Sequence, residues 1–388
     1  MGTRKWPERR PTEDFERVLR PDGTLAGDPI DVADAELSRW HAVMLKTRML
    51  EEMTVRLQRR GVFSVSGGGP GEEAAAIGAA AALAPGDWLH PSYRQMGALL
   101  YWKQPLDRML GAVLGHAPEH VRAHLPLDPA DAPKVKTTPY AVFLGAHIPV
   151  ATGTALTDKL SGKDHVSLAF IGEGATSEGD FHDGLGLAGV LKVPLVVVVV
   201  NNGWSISIPA SRQTAAETFA QKAVAHGIPH RRVDGNDILA VHAAAKAAVD
   251  AARAGEGPTL IEALTYRMTD HNTADQANLY RDDTELKYWA QRDPLPRFEA
   301  YLRTRGLFDE AEVAALRDGI DAELRAAVDR ALEIPATPAE TMFLSHLNGE
   351  TGWHFGHQQR ELAEELAGRN PFRDFDGTGL TMEEGGDA

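Results

Sequence analysis

The 388-residue chain contains no cysteine, which excludes disulfides, thiolate nucleophiles and Cys-ligated metals and fits a reducing compartment. It has no long apolar run: Val196–Val200, its most hydrophobic stretch, is far too short to span a bilayer. The opening residues, MGTRKWPERRPTEDFERV, show no apolar core of a secretory signal. An excess of positive charge is also missing. With 40 Lys and Arg against 55 Asp and Glu, the formal charge is −15, which argues against a general nucleic-acid binder, since that needs a basic face. A small anionic ligand is still allowed, because a few local cations outweigh a global deficit. These absences predict a cytoplasmic protein that engages neither nucleic acid nor membrane. The 43% hydrophobic content suits one large core or two moderate ones.

What is present is concentrated in residues 166–208. Two apolar, β-branched runs, Val166–Ile171 and Pro194–Val200, each end abruptly. The first ends in Gly172-Glu173-Gly174 and the second in Asn201-Asn202-Gly203, with a helix-like segment of about five turns between them. Both turns therefore fall at strand C-termini, the edge where ligands bind in parallel sheets. A carboxylate (Glu173) and an amide (Asn202) side by side make a hard-oxygen site, to which a backbone carbonyl near Trp204 adds. That set suits Mg²⁺ chelated by a diphosphate, because Mg²⁺ takes a few protein oxygens plus phosphate oxygens.

Along the chain, residues 1–38 read as a polar extension. Residues 39–283 alternate helix and strand patterns, and 284–388 are helical, ending in an acidic tail. Helices are expected at Ala35–Arg60, Glu72–Leu83, Leu144–Lys163, Arg212–Ala225, Asp237–Ala254, Thr284–Arg305, Asp309–Glu333 and Gln358–Leu366. Strands are expected at Asp87–His90, His230–Val233 and Pro258–Thr265 besides the two central runs. Residues 116–140, rich in Pro, His and Asp, read as a long loop, which in a compact domain is more often functional than filler. The alternation predicts a doubly wound α/β core on a mainly parallel sheet, with a helical C-terminal extension. Gly67-Gly68-Gly69-Pro70-Gly71 lacks the Lys-Ser/Thr of a phosphate loop. The one GxGxxG, Gly184 to Gly189, lies inside a helical segment rather than in a strand-to-helix turn, which weakens a nicotinamide reading.

GEGATSEGDFHDGLGLAGVLKVPLVVVVVNNGWSIS resembles the thiamine-diphosphate motif of the E1 α subunits of two-subunit 2-oxo acid dehydrogenases, the pyruvate and branched-chain enzymes. The similarity runs over roughly residues 40–330. Further landmarks are Thr47–Glu52, Gly71-Glu72-Glu73-Ala74, Ser92-Tyr93-Arg94, Arg232–Asp237, and Thr265-Tyr266-Arg267 with His271, Asp275, Tyr280 and Arg281. The resemblance implies a thiamine-diphosphate-binding fold in which Glu173, Asn202 and the Trp204 carbonyl hold Mg²⁺. It places Gly172, Gly174 and Ala175 against the cofactor, and Tyr93 and Arg94 at its diphosphate. It sets Val142 and Leu144 at the aminopyrimidine side and makes His271 catalytic near the reacting carbon, with Asp275 ordering its loop.

The same resemblance implies an E1 β subunit supplying the other half of the site in an α₂β₂ heterotetramer, a lipoyl E2 acyltransferase as acyl acceptor, and a 2-oxo acid substrate. Pyruvate is favoured by Asp293–Phe298 and Gln221–Ala225. A branched-chain acid is suggested by GEG in place of GDG, by Gly97 and by Tyr101. Two departures stand out. Asn272 replaces the serine that animal relatives phosphorylate after this His, and Asp275-Gln276 replaces paired aspartates. An acetoin-cleaving or transketolase-like enzyme and a non-catalytic paralogue remain alternatives; retained Glu173, Asn202, Arg94 and His271 argue against the last.

Overall fold

The structure is a computed structural model, and it describes residues 14–63, 67–140, 142–338, 341–344 and 353–367. The acidic tail and the first thirteen residues lie outside the described residues. Strands are β1 (Trp88–His90), β2 (Lys136–Thr137), β3 (Ser167–Gly172), β4 (Leu195–Asn201), β5 (Trp204–Ser205), β6 (Ile208–Pro209), β7 (His230–Asp234) and β8 (Thr259–Leu264). Six of them form one sheet in the order β2-β1-β3-β4-β8-β7, with every pair parallel; β5 and β6 form a separate hairpin.

Helices α1 (Asp34–Arg59), α2 (Glu73–Ala80), α3 (Met96–Tyr101), α4 (Leu106–Val113), α5 (Pro118–His124), α6 (His147–Leu160), α7 (Gly179–Leu191) and α8 (Ile238–Arg253) flank the sheet. They are followed by α9 (Asp283–Ala290), α10 (Pro294–Thr304), α11 (Glu310–Leu332), α12 (Thr341–Leu344) and α13 (Trp353–Ala367). The apolar run of β4 works because alternate residues serve two cores. Val196, Val198 and Val200 face one cluster with Leu168, Phe170 and Ile261, under α1, α2 and α8. Val197 and Val199 face another with Ala169, Ile171 and Leu260, under α6 and α7. A strand covered on both faces must be apolar at every position, and each buried valine contributes roughly 1.5–3 kcal/mol. The α/β doubly wound fold is therefore as expected. Ile320, Leu324 and Val328 of α11 join the first cluster.

Three local expectations need correction. Arg212–Ala225 is not one helix: a 3₁₀ turn Ala210–Arg212 is followed by irregular chain and a 3₁₀ segment Ala220–His226. The buried Glu262 carboxylate accepts from the Ala220 amide there, a long-range partner that periodicity cannot show. Thr284–Arg305 breaks between α9 and α10, where Asp293 caps the new helix by accepting from Leu295 N and Pro294 takes its first position. Residues 116–140 are not one loop, since they hold α5, a 3₁₀ turn and β2, the edge strand of the sheet. Among the described residues no helix is long and apolar enough to cross a membrane.

Candidate active site

The C-terminal edges of β3 and β4 are in register, Gly172 opposite Val200, so the turns that follow them lie side by side. After Gly172 the chain enters a 3₁₀ turn, Gly174–Ser177, which buries Glu173. A Cβ on Gly174 would come within 2.1 Å of Ser205 Oγ, so only glycine lets the β5–β6 hairpin close on this turn. The Glu173 carboxylate accepts from the Asn202 amide N–H through Oε2 at 3.3 Å, while Oε1 is buried without a hydrogen-bond partner. Burial pushes its pKa up to about 7, against the lowering pull of backbone hydrogen bonds.

The two asparagines have different tasks. Asn201 Nδ2 donates to Glu262 on β8 at 2.7 Å and ties the sheet together. Asn202 Nδ2 donates to Glu72 Oε1 at 2.8 Å, and among the described residues its Oδ1 accepts from the Trp204 amide at 3.2 Å. The Glu72 contact fixes the orientation of the Asn202 side chain and leaves an amide-oxygen lone pair beside Glu173. The Trp204 carbonyl accepts from Arg267 Nη1 at 3.1 Å, so one of its two lone pairs is already used.

Two guanidinium groups converge on this edge. Arg94 donates through Nη2 to the His271 carbonyl at 2.6 Å and to His271 Nδ1 at 2.9 Å, and through Nη1 to the Gly68 carbonyl. Fully buried Arg267 donates to the Trp204 and Ile206 carbonyls and to the Tyr280 hydroxyl. Because arginine only donates, His271 Nδ1 is the acceptor and the neutral ring carries its proton on Nε2. Desolvation, with Arg94 and then Arg267 adding, holds the His271 pKa down to about 4. Asp275 orders the loop by accepting from the His271 amide at 2.7 Å and from the Tyr280 hydroxyl.

These groups surround one cavity of about 600 Å³. Glu173, Asn202, Arg94 and His271 line it, with Tyr93, Trp204, Gly172, Gly174 and Ala175. Val142 and Leu144 line it as well, and both are exposed. The structure thus brings together every residue expected at the site. It adds Glu51, Glu72 and His147, which also line the cavity, and Arg267 behind it. Glu72 and Arg267 sat within recognised landmarks but gave no sign of their partners, since each reaches across more than sixty residues to find them. Glu51 and Glu72 are both held above the usual carboxylate range by burial.

Among the described residues no group of three or more His, Asp or Glu forms a metal cluster of its own. A cation at Glu173 would therefore complete its shell with the Asn202 amide, backbone oxygen and oxygens of a ligand. The unpartnered Glu173 Oε1 and the two arginines, whose donors go to carbonyls, a histidine and a tyrosine, fit a cation and an anionic group held together.

The family described as Dehydrogenase E1 component matches residues 41–340. The chain is 41% identical over 321 residues to the 3-methyl-2-oxobutanoate dehydrogenase subunit alpha of Mycobacterium tuberculosis, covering 80% of this chain and 84% of the relative. It is 38% identical over 286 residues to the pyruvate dehydrogenase E1 component subunit alpha of Acholeplasma laidlawii, covering 72% and 80%. The Staphylococcus aureus protein of that same name is 35% identical over 323 residues, covering 81% and 84%. On this coverage the chain belongs to the dehydrogenase E1 component family, among the α subunits of pyruvate and branched-chain 2-oxo acid dehydrogenases.

Proposed function

We propose that this chain holds Mg²⁺–thiamine diphosphate at the β3–β4 edge and, joined to a β subunit, carries out the oxidative decarboxylation of a 2-oxo acid, passing the acyl group to the lipoyl group of an E2 acyltransferase. The observation that carries this reading is the buried Glu173 carboxylate, with one oxygen unpartnered, facing the same cavity as Asn202, Arg94 and His271. Glu173 and the Asn202 amide oxygen, with the free lone pair of the Trp204 carbonyl, would hold the metal. Arg94 would meet the diphosphate with its planar fork. When bound, thiamine diphosphate supplies the electron sink that decarboxylation requires.

His271 keeps its proton on Nε2 at neutral pH, because Arg94 occupies Nδ1. It would position the substrate carboxylate or carbonyl through that N–H and exchange a proton there. Gly172, Gly174 and Ala175 would let the main chain come close to the ligand, and Val142 and Leu144 would give it apolar contact. The rim formed by Val142, Phe143, Leu144 and Ile206 is 45–83% exposed, as a surface awaiting a partner would be. A β subunit in an α₂β₂ assembly, the arrangement implied by relatives named subunit alpha, would cover it and supply the groups this chain lacks.

Pyruvate is the first substrate of this reading, on the Asp293–Phe298 and Gln221–Ala225 segments. 3-Methyl-2-oxobutanoate is the second, favoured by the 41% identical relative. The test uses this chain co-purified with its β subunit, with Mg²⁺ and thiamine diphosphate. kcat/KM is compared for the two acids with an artificial electron acceptor. A preference for either assigns the substrate; turnover of neither in a cofactor-loaded complex defeats the 2-oxo acid reading.

A further inference from the structure

The β5–β6 hairpin carries the Trp204 carbonyl assigned to the metal above, yet it is poorly equipped to hold itself in place. It has two residue pairs, Trp204 with Pro209 and Ser205 with Ile208. An isolated two-stranded hairpin is marginal in water at best, and this one is short. Its two-residue loop is also strained. Ile206 sits at φ +54°, a left-handed conformation that a β-branched side chain resists and that asparagine or glycine usually occupies. The hairpin therefore depends on what grips it from outside.

Arg267 grips the backbone, donating to the Trp204 carbonyl at 3.1 Å and to the Ile206 carbonyl at 2.9 Å. Glu285 grips the side chain. Trp204 Nε1 donates to Glu285 Oε2 at 3.1 Å, a partner 81 residues away in the chain. The same oxygen accepts from the Tyr266 hydroxyl at 3.2 Å. Tyr266 is fully buried, and its ring stacks on Trp289 with 5.6 Å between centroids and 4° between planes. Glu285 itself stands in the first turn of α9, where the helix dipole favours a carboxylate and where Asp282 caps the helix by accepting from Thr284 N. The acceptor is thus fixed from both sides, by its helix and by a packed tyrosine.

We propose that Glu285 is a positioning residue for the metal site: by holding the Trp204 indole it fixes the strained hairpin so that the Trp204 carbonyl is presented to the cation. The inference rests on the cofactor reading above. Glu285 is not among the described residues that line the cavity, so it acts through Trp204 and not on the ligand. Metal affinity is thereby tied to α9, the first helix of the C-terminal region.

The experiment measures Kd for Mg²⁺ by calorimetry at saturating thiamine diphosphate, using the chain in complex with its β subunit. Glu285→Leu removes the acceptor and should raise that Kd about tenfold, the worth of one hydrogen bond. Glu285→Gln keeps an acceptor oxygen and should stay within about threefold of wild type. Trp204→Phe deletes the indole donor and keeps the backbone, so its loss should resemble that of Glu285→Leu. Combining Trp204→Phe with Glu285→Leu should weaken binding no more than about twofold beyond Trp204→Phe alone, because the two groups act through one bond. Tyr266→Phe removes the other donor to the same oxygen and should leave the Kd within about twofold of wild type. An unchanged Kd in Glu285→Leu, additive losses in the double variant, no rescue by Glu285→Gln, or a Tyr266→Phe loss as large as that of Glu285→Leu would overturn the proposal. If Glu285→Leu fails to assemble, Trp204→Phe decides alone, a tenfold rise supporting the proposal and a wild-type Kd overturning it. Failure of the wild type to bind Mg²⁺ with thiamine diphosphate is a separate outcome: it sinks the cofactor reading, and this inference with it.

Discussion

Glu173→Gln separates stability from function at a single atom. In the ligand-free protein the Glu173 carboxyl titrates near 7 instead of near 4.5, because burial penalises its charge. A folded-state pKa raised in this way contributes stability that is fully present below about 4.5 and lost as the pH rises through about 7. The loss amounts to about 3 kcal/mol at pH 8, at 1.36 kcal/mol per pH unit. Glutamine keeps an oxygen for the Asn202 N–H and removes the ionisation. Its amide nitrogen takes the unpartnered position of Oε1 at a cost of about 1–3 kcal/mol. The ligand-free variant should therefore match or fall below wild type at pH 5.5. At pH 8 it should regain about 2 kcal/mol relative to that difference, the part of the wild-type stabilisation still present at pH 5.5, an upward shift of a few degrees in relative melting temperature. Its affinity for Mg²⁺–thiamine diphosphate should fall at least tenfold, since a neutral oxygen replaces the anionic ligand. Melting curves of the ligand-free α/β complex at both pH values, with calorimetric titration of the cofactor, provide the check. If the melting difference between variant and wild type is the same at pH 5.5 and pH 8, the carboxyl is not held protonated by burial and the argument fails.

Other consequences are as specific. His271 should remain neutral from pH 8 down to about pH 5, and Arg94→Met should move its titration upward towards 6.5; histidine-labelled NMR reads this, and an unmoved pKa would remove Arg94 from the cause. Gly174→Ala should displace the β5–β6 hairpin and weaken cofactor binding, and Ser205→Gly in the same chain should restore it, because Ser205 is the atom group in the way. Asn201→Leu leaves the buried Glu262 oxygen without its donor and should cost about 1–3 kcal/mol in thermal unfolding. The folded fraction of that variant should keep cofactor affinity within a few-fold, whereas Asn202→Leu should lose most of it. Matching behaviour of the two variants would refute the division of labour between the asparagines.

The central sheet was legible because β3 and β4 are short, β-branched and ended by Gly-Glu-Gly and Asn-Asn-Gly, signals that are local in the chain. So was the adjacency of Glu173 and Asn202, which stand at neighbouring strand ends. The misread segments failed for a common reason. Ala220 is held by Glu262, and β2 gains strand character only by pairing with β1. Partners that are distant in sequence leave no period to read. Arg267 shows the same limit at the site. Its sequence context is a strand end and a polar loop, yet it is fully buried and bridges the hairpin to that loop.

That bridge explains why the site can be half built and still ordered. Arg267 holds the Trp204 and Ile206 carbonyls on one side and the Tyr280 hydroxyl on the other, while Asp275 fixes both Tyr280 and the His271 amide. Arg94 then ties His271 to the Gly68 loop. The donors of both arginines end mainly on neutral oxygens, so the site keeps positive potential at its floor, with Glu72 as the nearby carboxylate that both arginines feel. Glu173 lies at the edge of the same field with one oxygen unpartnered. An anion alone would leave the Glu173 carboxyl protonated, and a cation alone would face the arginines. Only the two together satisfy both ends, so metal and diphosphate should bind with strong positive coupling.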